Sequence, residues 1–495
     1  MRVLLTNVPR KRILLFQRLL LLSLCLPPTA ALSQGQAITV TVDIAKTGAP
    51  ISKNIYGQFL EHGGDTVNTG IWSEMLVDRK FFYPVATVAP TPPPPVGNAI
   101  GNPRFENIPK RWWVPVGGDS NGAATTPMGR WRAQNGRLAP YNVKLWGIGN
   151  EAWGDYQMGA MALPQYEIKH NLFAKEMKKI DPTIVLIAGG AMPDVMEGAD
   201  QARRINGQYV PDYLFSADWT GQLLLHCLPN IDMVSEHYYA SGTQHTDMKL
   251  GKKVPIELPL SFIELQRAAA VQVRARYEHY EKYLELIPAL RAKTVPIAID
   301  EWAYFLSGKR DSYHTVPAYA WAFHEMFRHF DIFKMANLTF ATATFTSNGT
   351  EAVLNPTGQL FKMYRDHFGV IPVEVGGNSP QPKPTFPAGG DQPAVNPGSP
   401  TYPLDVSAAL SEDHKTLTIG VLNPSDAEQN IHLDIRGAAL ASAGKLWRME
   451  PHSIDAIVKA GSPAEVQVEE QSLGALPATV ALRPYSVNIY PYPVQ

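Results

Sequence analysis

The sequence predicts an α/β protein: a (β/α)8-type barrel with about six recognisable strands, joined to a C-terminal β-sandwich. Three observations predict this fold. Apolar strand patterns alternate with amphipathic helices over residues 51–375, and only alternating strand patterns follow residue 403. Residues 37–44 alternate apolar and polar side chains but have no similar strand nearby. We therefore expect this N-terminal strand, within residues 34–50, to pair into the C-terminal sandwich.

The composition is that of a folded chain with little net charge. Of 495 residues, 45% are hydrophobic, and 44 Lys and Arg nearly balance 45 Asp and Glu. Such a chain can bury a large core, which excludes wholesale disorder. The balanced charge lacks the basic excess of a nucleic-acid or anionic-membrane binder, so neither partner is expected.

Residues 1–33 have the pattern of a signal peptide. Basic residues at positions 2 and 10–12 precede a short apolar run over residues 13–26, and small residues follow at positions 29–33. A membrane anchor is the alternative, which Arg18 within the run disfavours. The pattern predicts a secreted or periplasmic protein with no membrane association after cleavage.

The middle section supplies the barrel elements. Candidate strands lie at residues 54–61, 143–151, 184–190, 233–239, 296–301 and 332–340. Candidate helices lie at residues 166–180, 261–293, 318–331 and 359–367. Between residues 61 and 143 the chain is rich in Pro and Gly and offers no convincing βα pair. Two of the eight units of a closed barrel are therefore not recognisable.

The C-terminal section contains only residue patterns typical of strands. Residues 376–403 contain eight Pro and five Gly, which indicates a linker or boundary loop. Alternating patterns follow at residues 417–423, 431–435, 466–469 and 485–490. We expect a β-sandwich domain over residues 404–495.

Two glutamates suggest the chemistry. Glu151 and Glu301 each follow an apolar barrel strand, and the C-terminal ends of barrel strands gather at one face. A buried carboxylate is costly unless it is paired or used. Either glutamate alone could be a surface residue or the partner of an arginine, but a pair of carboxyl groups is what a glycosidase requires.

Neighbouring residues support this interpretation. Trp302 follows the second glutamate, and Trp faces commonly support sugars. Asn150 could donate a hydrogen bond to a sugar hydroxyl. His237 and Tyr239 lie on one strand face by alternation and could orient a carboxylate, although a core histidine is an equal reading of His237.

Six motifs occur in one order along the chain. They are Asn-Ile-Tyr-Gly-Gln-Phe-Leu-Glu-His (54–62), Gly-Ile-Trp-Ser-Glu-Met-Leu (70–76), Lys-Leu-Trp-Gly-Ile-Gly-Asn-Glu (144–151), His-Tyr-Tyr (237–239), Asp-Glu-Trp (300–302) and Lys-Met-Ala-Asn-Leu (334–338). In these motifs the chain resembles α-L-arabinofuranosidases of glycoside hydrolase family 51. The departures are an apparent internal deletion after the first strand, where the family has an Arg-Trp-Pro-Gly-Gly strand end, and Phe340, near which many members have Gln.

The resemblance implies a retaining hydrolase of arabinose-containing polysaccharides or oligosaccharides, with no metal or organic cofactor. Glu151 falls at the general acid/base position and Glu301 at the nucleophile position. The implied substrate contacts are Asn150 near the 2-hydroxyl, Glu61 at another hydroxyl, and His237 and Tyr239 lining the pocket.

The residues leave two alternative functions open. The same scaffold could carry an endo-glucanase or another glycosidase, which an open groove would indicate. The unrecognised units could also leave a non-catalytic sugar-binding remnant. The sequence does not predict an oligomeric state.

Overall fold

The computed structural model describes residues 37–59, 127–134, 136–154, 159–193, 202–205, 208–211, 213–216, 218–240, 244–247, 252–255, 261–304, 309, 311–339, 341–348, 350–382 and 396–495. The predicted signal peptide and most of the Pro- and Gly-rich region after the first barrel strand lie outside these ranges. Within them, no helix combines the length and apolar character needed to cross a membrane.

The described chain contains strands and helices in the following order. The strands are β1 (Ile38–Thr47), β2 (Gly57–Gln58), β3 (Leu145–Ile148), β4 (Val185–Gly189), β5 (Ala202–Ile205), β6 (Gln208–Pro211), β7 (Met233–Ala240), β8 (Gln244–Asp247), β9 (Lys252–Pro255), β10 (Ile297–Tyr304), β11 (Phe333–Leu338), β12 (Phe345–Ser347), β13 (Ala352–Leu354), β14 (Ile371–Gly377), β15 (Asp405–Leu410), β16 (Thr416–Leu422), β17 (Gln429–Arg436), β18 (Gly444–Met449), β19 (Val468–Leu473), β20 (Thr479–Leu482) and β21 (Val487–Pro493). The helices are α1 (Pro127–Gln134), α2 (Leu163–Ile180), α3 (Trp219–His226), α4 (Phe262–Leu286), α5 (Pro288–Ala292), α6 (Val316–Arg328) and α7 (Pro356–His367).

A six-stranded parallel sheet forms the barrel side of the molecule. Its order is β2-β11-β10-β7-β4-β3, and each strand coincides with one of the six predicted strands. The edges are β2 and β3, and the chain between them includes residues 60–126, which lie outside the described residues. Three short antiparallel hairpins, β5–β6, β8–β9 and β12–β13, are inserted in the connections.

The barrel helices cover the outer face of this sheet. The predicted long helix at residues 261–293 is two helices, α4 and α5, because Pro288 begins a new helix after Ile287. Ser261 caps α4 by accepting a hydrogen bond from the Glu264 amide, at 3.3 Å. Helix α6 is buried over nearly its whole length, since it lies between the sheet and the sandwich, and most of its side chains are therefore apolar.

The sandwich is a nine-stranded sheet that folds over its own core. Its order is β19-β18-β21-β16-β15-β14-β1-β17-β20. Strand β1 lies inside the sheet, antiparallel to β14 and parallel to β17, with Ile38 opposite Ile431. Val40 and Val42 of β1 are fully buried. The expectation that the N-terminal strand joins the sandwich is therefore confirmed.

The barrel side and the sandwich share a buried polar interface. Asp405 of β15 accepts a hydrogen bond from the ring of His324 at 2.8 Å and forms an ion pair with Arg328. Tyr313 donates to the carbonyls of Met449 at 3.0 Å and Tyr485 at 2.8 Å. These contacts tie α6 and the turn before it to the sandwich.

Candidate active site

Strand β7 supplies one wall of the site. Ser235, His237 and Tyr239 alternate along β7, so their side chains point to the same face. That face is the inside of the curved sheet. Glu236 lies on the other face, fully buried, where it accepts hydrogen bonds from Thr220 at 2.6 Å and from the Met192 amide at 3.0 Å.

Glu151 reaches the site through a tight turn after β3. The strand ends at Ile148, Gly149 has φ +82°, and Glu151 itself has φ +45°. A left-handed conformation is uncommon for a residue with a side chain and costs of order 1–3 kcal/mol, so such residues concentrate at functional sites. The turn directs the Glu151 carboxylate toward β7, where it lies 2.9 Å from His237 Nδ1.

A bulge in β10 brings two successive carboxylates to the same wall. The pairing register of β10 shifts between Ala298 and Glu301 against β7, and between Ile299 and Trp302 against β11. Strict alternation would send Asp300 and Glu301 to opposite faces. Because of the bulge, both approach His237 instead, a re-aiming of side chains that is typical of bulges beside active sites.

His237 lies at the centre of three carboxylates. Its Nδ1 is 2.9 Å from Glu151 Oε1 and 3.5 Å from Glu301 Oε2, and its Nε2 is 3.3 Å from Asp300 Oδ1. One oxygen of Glu151, one oxygen of Glu301 and one ring nitrogen lie within 4.8 Å of one another. The two glutamates thus converge on one small volume.

Hydroxyl groups also donate to two of the carboxylates. Tyr239 donates a short hydrogen bond to Glu301 Oε1 and lies 3.4 Å from the Thr339 hydroxyl. Ser235 donates to Asp300 Oδ1 at 2.6 Å. The side chains of Glu151 and Glu301 are only 10% and 13% exposed, which places both carboxylates in a partly dehydrated site.

The charges around His237 keep it protonated. Burial alone would lower its pKa, but hydrogen bonds to Asp300 and Glu151, with the charges of Asp300 and Glu301, outweigh burial and raise the pKa to about 10. Burial and the neighbouring Glu301 charge raise the pKa of Tyr239 well above its usual range. At neutral pH the site therefore holds an imidazolium among three carboxyl groups and a neutral phenol.

Glu151, His237 and Glu301 each offer one atom that could ligate a metal ion. A cation bound there would have to displace the proton of His237, which the surrounding carboxylates stabilise.

Tyr166 supports the Glu151 turn through hydrogen bonds of its hydroxyl group. Its hydroxyl donates to the carbonyl of Ile148 at 2.5 Å and accepts from the amide of Gly189 at 2.8 Å. The phenol thus links the ends of β3 and β4 where the site begins. A Cβ at Gly149 would lie 3.2 Å from the Tyr166 ring, so the turn packs directly on this side chain.

A cavity of about 370 Å³ opens inside the curved sheet between its two edge strands. Its lining mixes the apolar side chains of Leu145, Ile187 and Met335 with the polar side chains of Asn54, Asp300 and Asn337. Because Asp300 belongs to this lining, the cavity adjoins the carboxylate cluster.

The structure assembles most of the predicted site residues. Glu151, Glu301, His237 and Tyr239 lie together, and Asn150 is partly exposed in the Glu151 turn. Glu61 lies outside the described residues.

Trp302 requires a correction. Its indole is fully buried on the outer face of the sheet, with ring centroids 5.6 Å from Tyr238 and 5.4 Å from Tyr319. The prediction that it supports a sugar is therefore wrong, because alternation along β10 directs Trp302 toward the helices while Glu301 faces the site.

Sequence reasoning missed Asp300, Ser235 and Tyr166 as parts of the site. Ser235 could have been found, because it is two residues before His237 on the same strand face. Asp300 carried no such signal, since alternation places it opposite Glu301. Tyr166 lies in the predicted helix at residues 166–180, where the sequence indicates only a packing role.

Comparisons with known proteins agree with the resemblance seen in the motifs. Residues 120–255 match the family model of the alpha-L-arabinofuranosidase 1 domain. A probable alpha-L-arabinofuranosidase C of Aspergillus flavus is 33% identical over 162 residues, which cover 30% of this chain and 28% of that protein. An intracellular exo-alpha-(1->5)-L-arabinofuranosidase 1 of Bacillus subtilis is 23% identical over 62% of this chain and 57% of its own length. The chain thus spans between about a quarter and three fifths of these two relatives.

Solved structures extend the likeness to the fold. The arabinose complex of an alpha-L-arabinofuranosidase from Thermotoga maritima superposes with a TM-score of 0.64 at 18% identity, covering 92% of this chain and all of that one. A family 44 xyloglucanase of Paenibacillus polymyxa reaches a TM-score of 0.54 at 14% identity, over 93% of this chain and all of that one. Together the comparisons confirm the barrel-plus-sandwich fold and the resemblance to α-L-arabinofuranosidases of family 51.

Proposed function

We propose that this chain is a retaining α-L-arabinofuranosidase that releases terminal arabinofuranosyl residues from arabinan, arabinoxylan or related oligosaccharides. The observation that carries the proposal is the convergence of Glu151 and Glu301, each with an oxygen within 4.8 Å of the other and of the His237 ring. Retaining glycosidases hold their carboxyl groups about 5–5.5 Å apart, whereas inverting enzymes need about 6.5–9.5 Å to admit a water. The short separation supports direct attack by one carboxylate.

The surroundings of each glutamate support its role. Glu301 accepts a hydrogen bond from Tyr239 and lies beside the charged His237, and both contacts stabilise the ionised form that a nucleophile needs. Glu151, at the end of its turn, lies 2.9 Å from the same ring nitrogen of the histidine, so its carboxyl group faces the same small volume as Glu301. Glu151 would protonate the departing oxygen and then activate the water that releases the sugar.

The reaction would proceed in two displacements. Glu301 attacks the anomeric carbon while Glu151 gives its proton to the leaving oxygen, and a covalent arabinosyl ester forms. Glu151, now ionised, takes a proton from water, which attacks the same carbon and frees Glu301. Action outside the cytoplasm belongs to the same proposal and rests on the signal-peptide pattern of residues 1–33.

The test compares wild type, Glu151→Ala and Glu301→Ala on p-nitrophenyl α-L-arabinofuranoside. Each substitution is expected to reduce kcat/KM by at least about 100-fold. Glu374→Ala, at an exposed residue of the sandwich, is the control and keeps wild-type rates. Equal rates in all variants would exclude the assignment.

Azide separates the two roles. With Glu151→Ala, azide replaces water in the second displacement and yields an arabinosyl azide of retained configuration. With Glu301→Ala, azide takes the place of the nucleophile and yields the inverted azide. NMR of the two products distinguishes these outcomes, and release of inverted arabinose by wild type would contradict retention. Parallel assays on xyloglucan and carboxymethylcellulose test the endo-glucanase alternative.

A further inference from the structure

Strand β7 extends beyond its neighbour β4 at the end that carries the site. The last residue pair between them is Gly189 with Ser235, and Gly190 then donates to the Ser235 carbonyl at 2.9 Å. Strand β7 continues for five more residues, to Ala240. The chain after Gly190 contacts the side chain of Glu236, since the Met192 amide donates to its carboxylate at 3.0 Å.

The carbonyl of His237 has no strand partner on the side of β7 that faces β4. Backbone carbonyls along a strand point alternately to its two neighbours, so the carbonyl of His237 points the same way as that of Ser235, toward β4. At position 237 strand β4 has already ended. A buried carbonyl needs a donor, and the ladder cannot supply one here.

Arg276 of helix α4 supplies that donor. Its Nη2 donates to the His237 carbonyl at 2.6 Å, and its Nη1 donates to the backbone and side-chain oxygens of Gln272, both at 2.9 Å. The guanidinium also lies over the ring of Tyr238, 5.0 Å from its centroid. Only 1% of the residue is exposed.

We infer that Arg276 is a positioning residue that replaces the missing strand neighbour of β7 and so fixes the His237 ring between the two catalytic glutamates. The inference rests on the proposed function. A guanidinium is needed, because its Nη1 donates to helix α4 while its Nη2 donates to the strand. A small displacement of reacting groups can cost about 100-fold in rate, so a contact one layer behind the site is enough to affect catalysis.

The experiment compares Arg276→Met and Arg276→Lys with a matched control, Arg267→Met. Arg267 is an equally buried arginine of the same helix, 1% exposed, but it contacts Glu264 at 3.0 Å and Asn396 at 2.9 Å, away from the site. Arg267→Met therefore reports what loss of a buried arginine from α4 does to stability alone. The rates are measured on p-nitrophenyl α-L-arabinofuranoside.

Arg276→Met is expected to lower kcat about 10- to 100-fold while KM changes less than about three-fold. Arg276→Lys recovers part of the loss, because it restores one donor but not both. Arg267→Met lowers the melting temperature and leaves kcat unchanged. If Arg276→Met retains the kcat of the control, the inference is overturned.

A second readout does not depend on activity. In ¹⁵N-histidine-labelled protein, the ring signals of His237 are identified by their disappearance in His237→Gln. They are expected to shift in Arg276→Met and to stay in place in Arg267→Met. An unmoved His237 signal overturns the inference. If wild type shows no hydrolysis, the proposed function fails, but this spectrum still decides whether Arg276 positions His237. If Arg276→Met does not fold, the spectrum of Arg276→Lys is compared instead.

Discussion

Removing the hydroxyl of Tyr166 tests how the Glu151 turn is held. The substitution Tyr166→Phe keeps the buried ring but deletes hydrogen bonds to the Ile148 carbonyl, at 2.5 Å, and from the Gly189 amide, at 2.8 Å. Both backbone groups become unsatisfied in a buried position, and each such loss costs about 1–3 kcal/mol. We expect the free energy of unfolding to fall by about 2–6 kcal/mol.

The effect should reach catalysis as well as stability. Strand β3 is an edge of the described sheet and has only four residues, so the phenol is a large part of what holds its end to β4. A looser β3 allows the Gly149–Glu151 turn to move, which should lower kcat about ten-fold or more. Urea unfolding followed by tryptophan fluorescence measures the first effect, and hydrolysis of p-nitrophenyl α-L-arabinofuranoside measures the second.

Tyr141→Phe is the matched control. Tyr141 is 42% exposed and its ring lies beside Arg137, a contact that phenylalanine keeps. This variant should unfold like wild type, within about 0.5 kcal/mol. If Tyr166→Phe also falls within that margin, the phenol does not support the strand ends and the reasoning is refuted.

Three further predictions concern the interface, the indole and the histidine. Asp405→Asn removes one of the two buried carboxylates that pair with Arg328, the other being Glu325, and weakens the hydrogen bond from His324, so it should destabilise the protein by about 2–3 kcal/mol, measured by urea unfolding; a loss below about 1 kcal/mol would contradict a structural role for this ion pair. Trp302→Phe should lower the melting temperature but leave KM for arabinosides unchanged, because the indole faces the helices; a raised KM would restore the sugar contact that the structure rejects. The pKa of His237 is raised to about 10 in the folded state from 6.5, so charged His237 stabilises the fold fully below about pH 6.5, and this contribution is lost as the pH rises toward about 10. The stability difference between wild type and His237→Gln should therefore shrink between pH 6.5 and 10, and a constant difference would contradict the charge assignment.

Sequence periodicity was sufficient to place the barrel strands but not to define their details. All six predicted strands occur, because buried parallel strands are continuous apolar runs between polar ends. The bulge at Asp300 was not predictable, since it depends on the register of β10 against two neighbours distant in sequence. Trp302 directly follows Glu301, so alternation alone places it on the face opposite the site.

The same limit applies to the residues behind the site. Glu151 and Glu301 stood out because carboxylates at the ends of apolar strands are unusual. Arg276 and Tyr166 lie within helices whose patterns explain them fully as packing residues. Their contacts with strand ends follow from how α4 and α2 lie on the sheet, which no local pattern records.

The position of β1 has a consequence for how the chain is made. Strand β1 precedes the barrel in the chain, yet its two neighbours are β14 and β17, and its partner residues Ile38 and Ile431 are separated by the whole barrel. On the ribosome β1 must wait, unpaired, until the barrel and β14 have emerged. Residues 404–495 expressed alone would lack two central strands, β14 and β1, and expose the edges of β15 and β17, so they should aggregate rather than fold independently. The sandwich thus depends on a strand that precedes the barrel, and the segments before and after the barrel are joined in a single folding event.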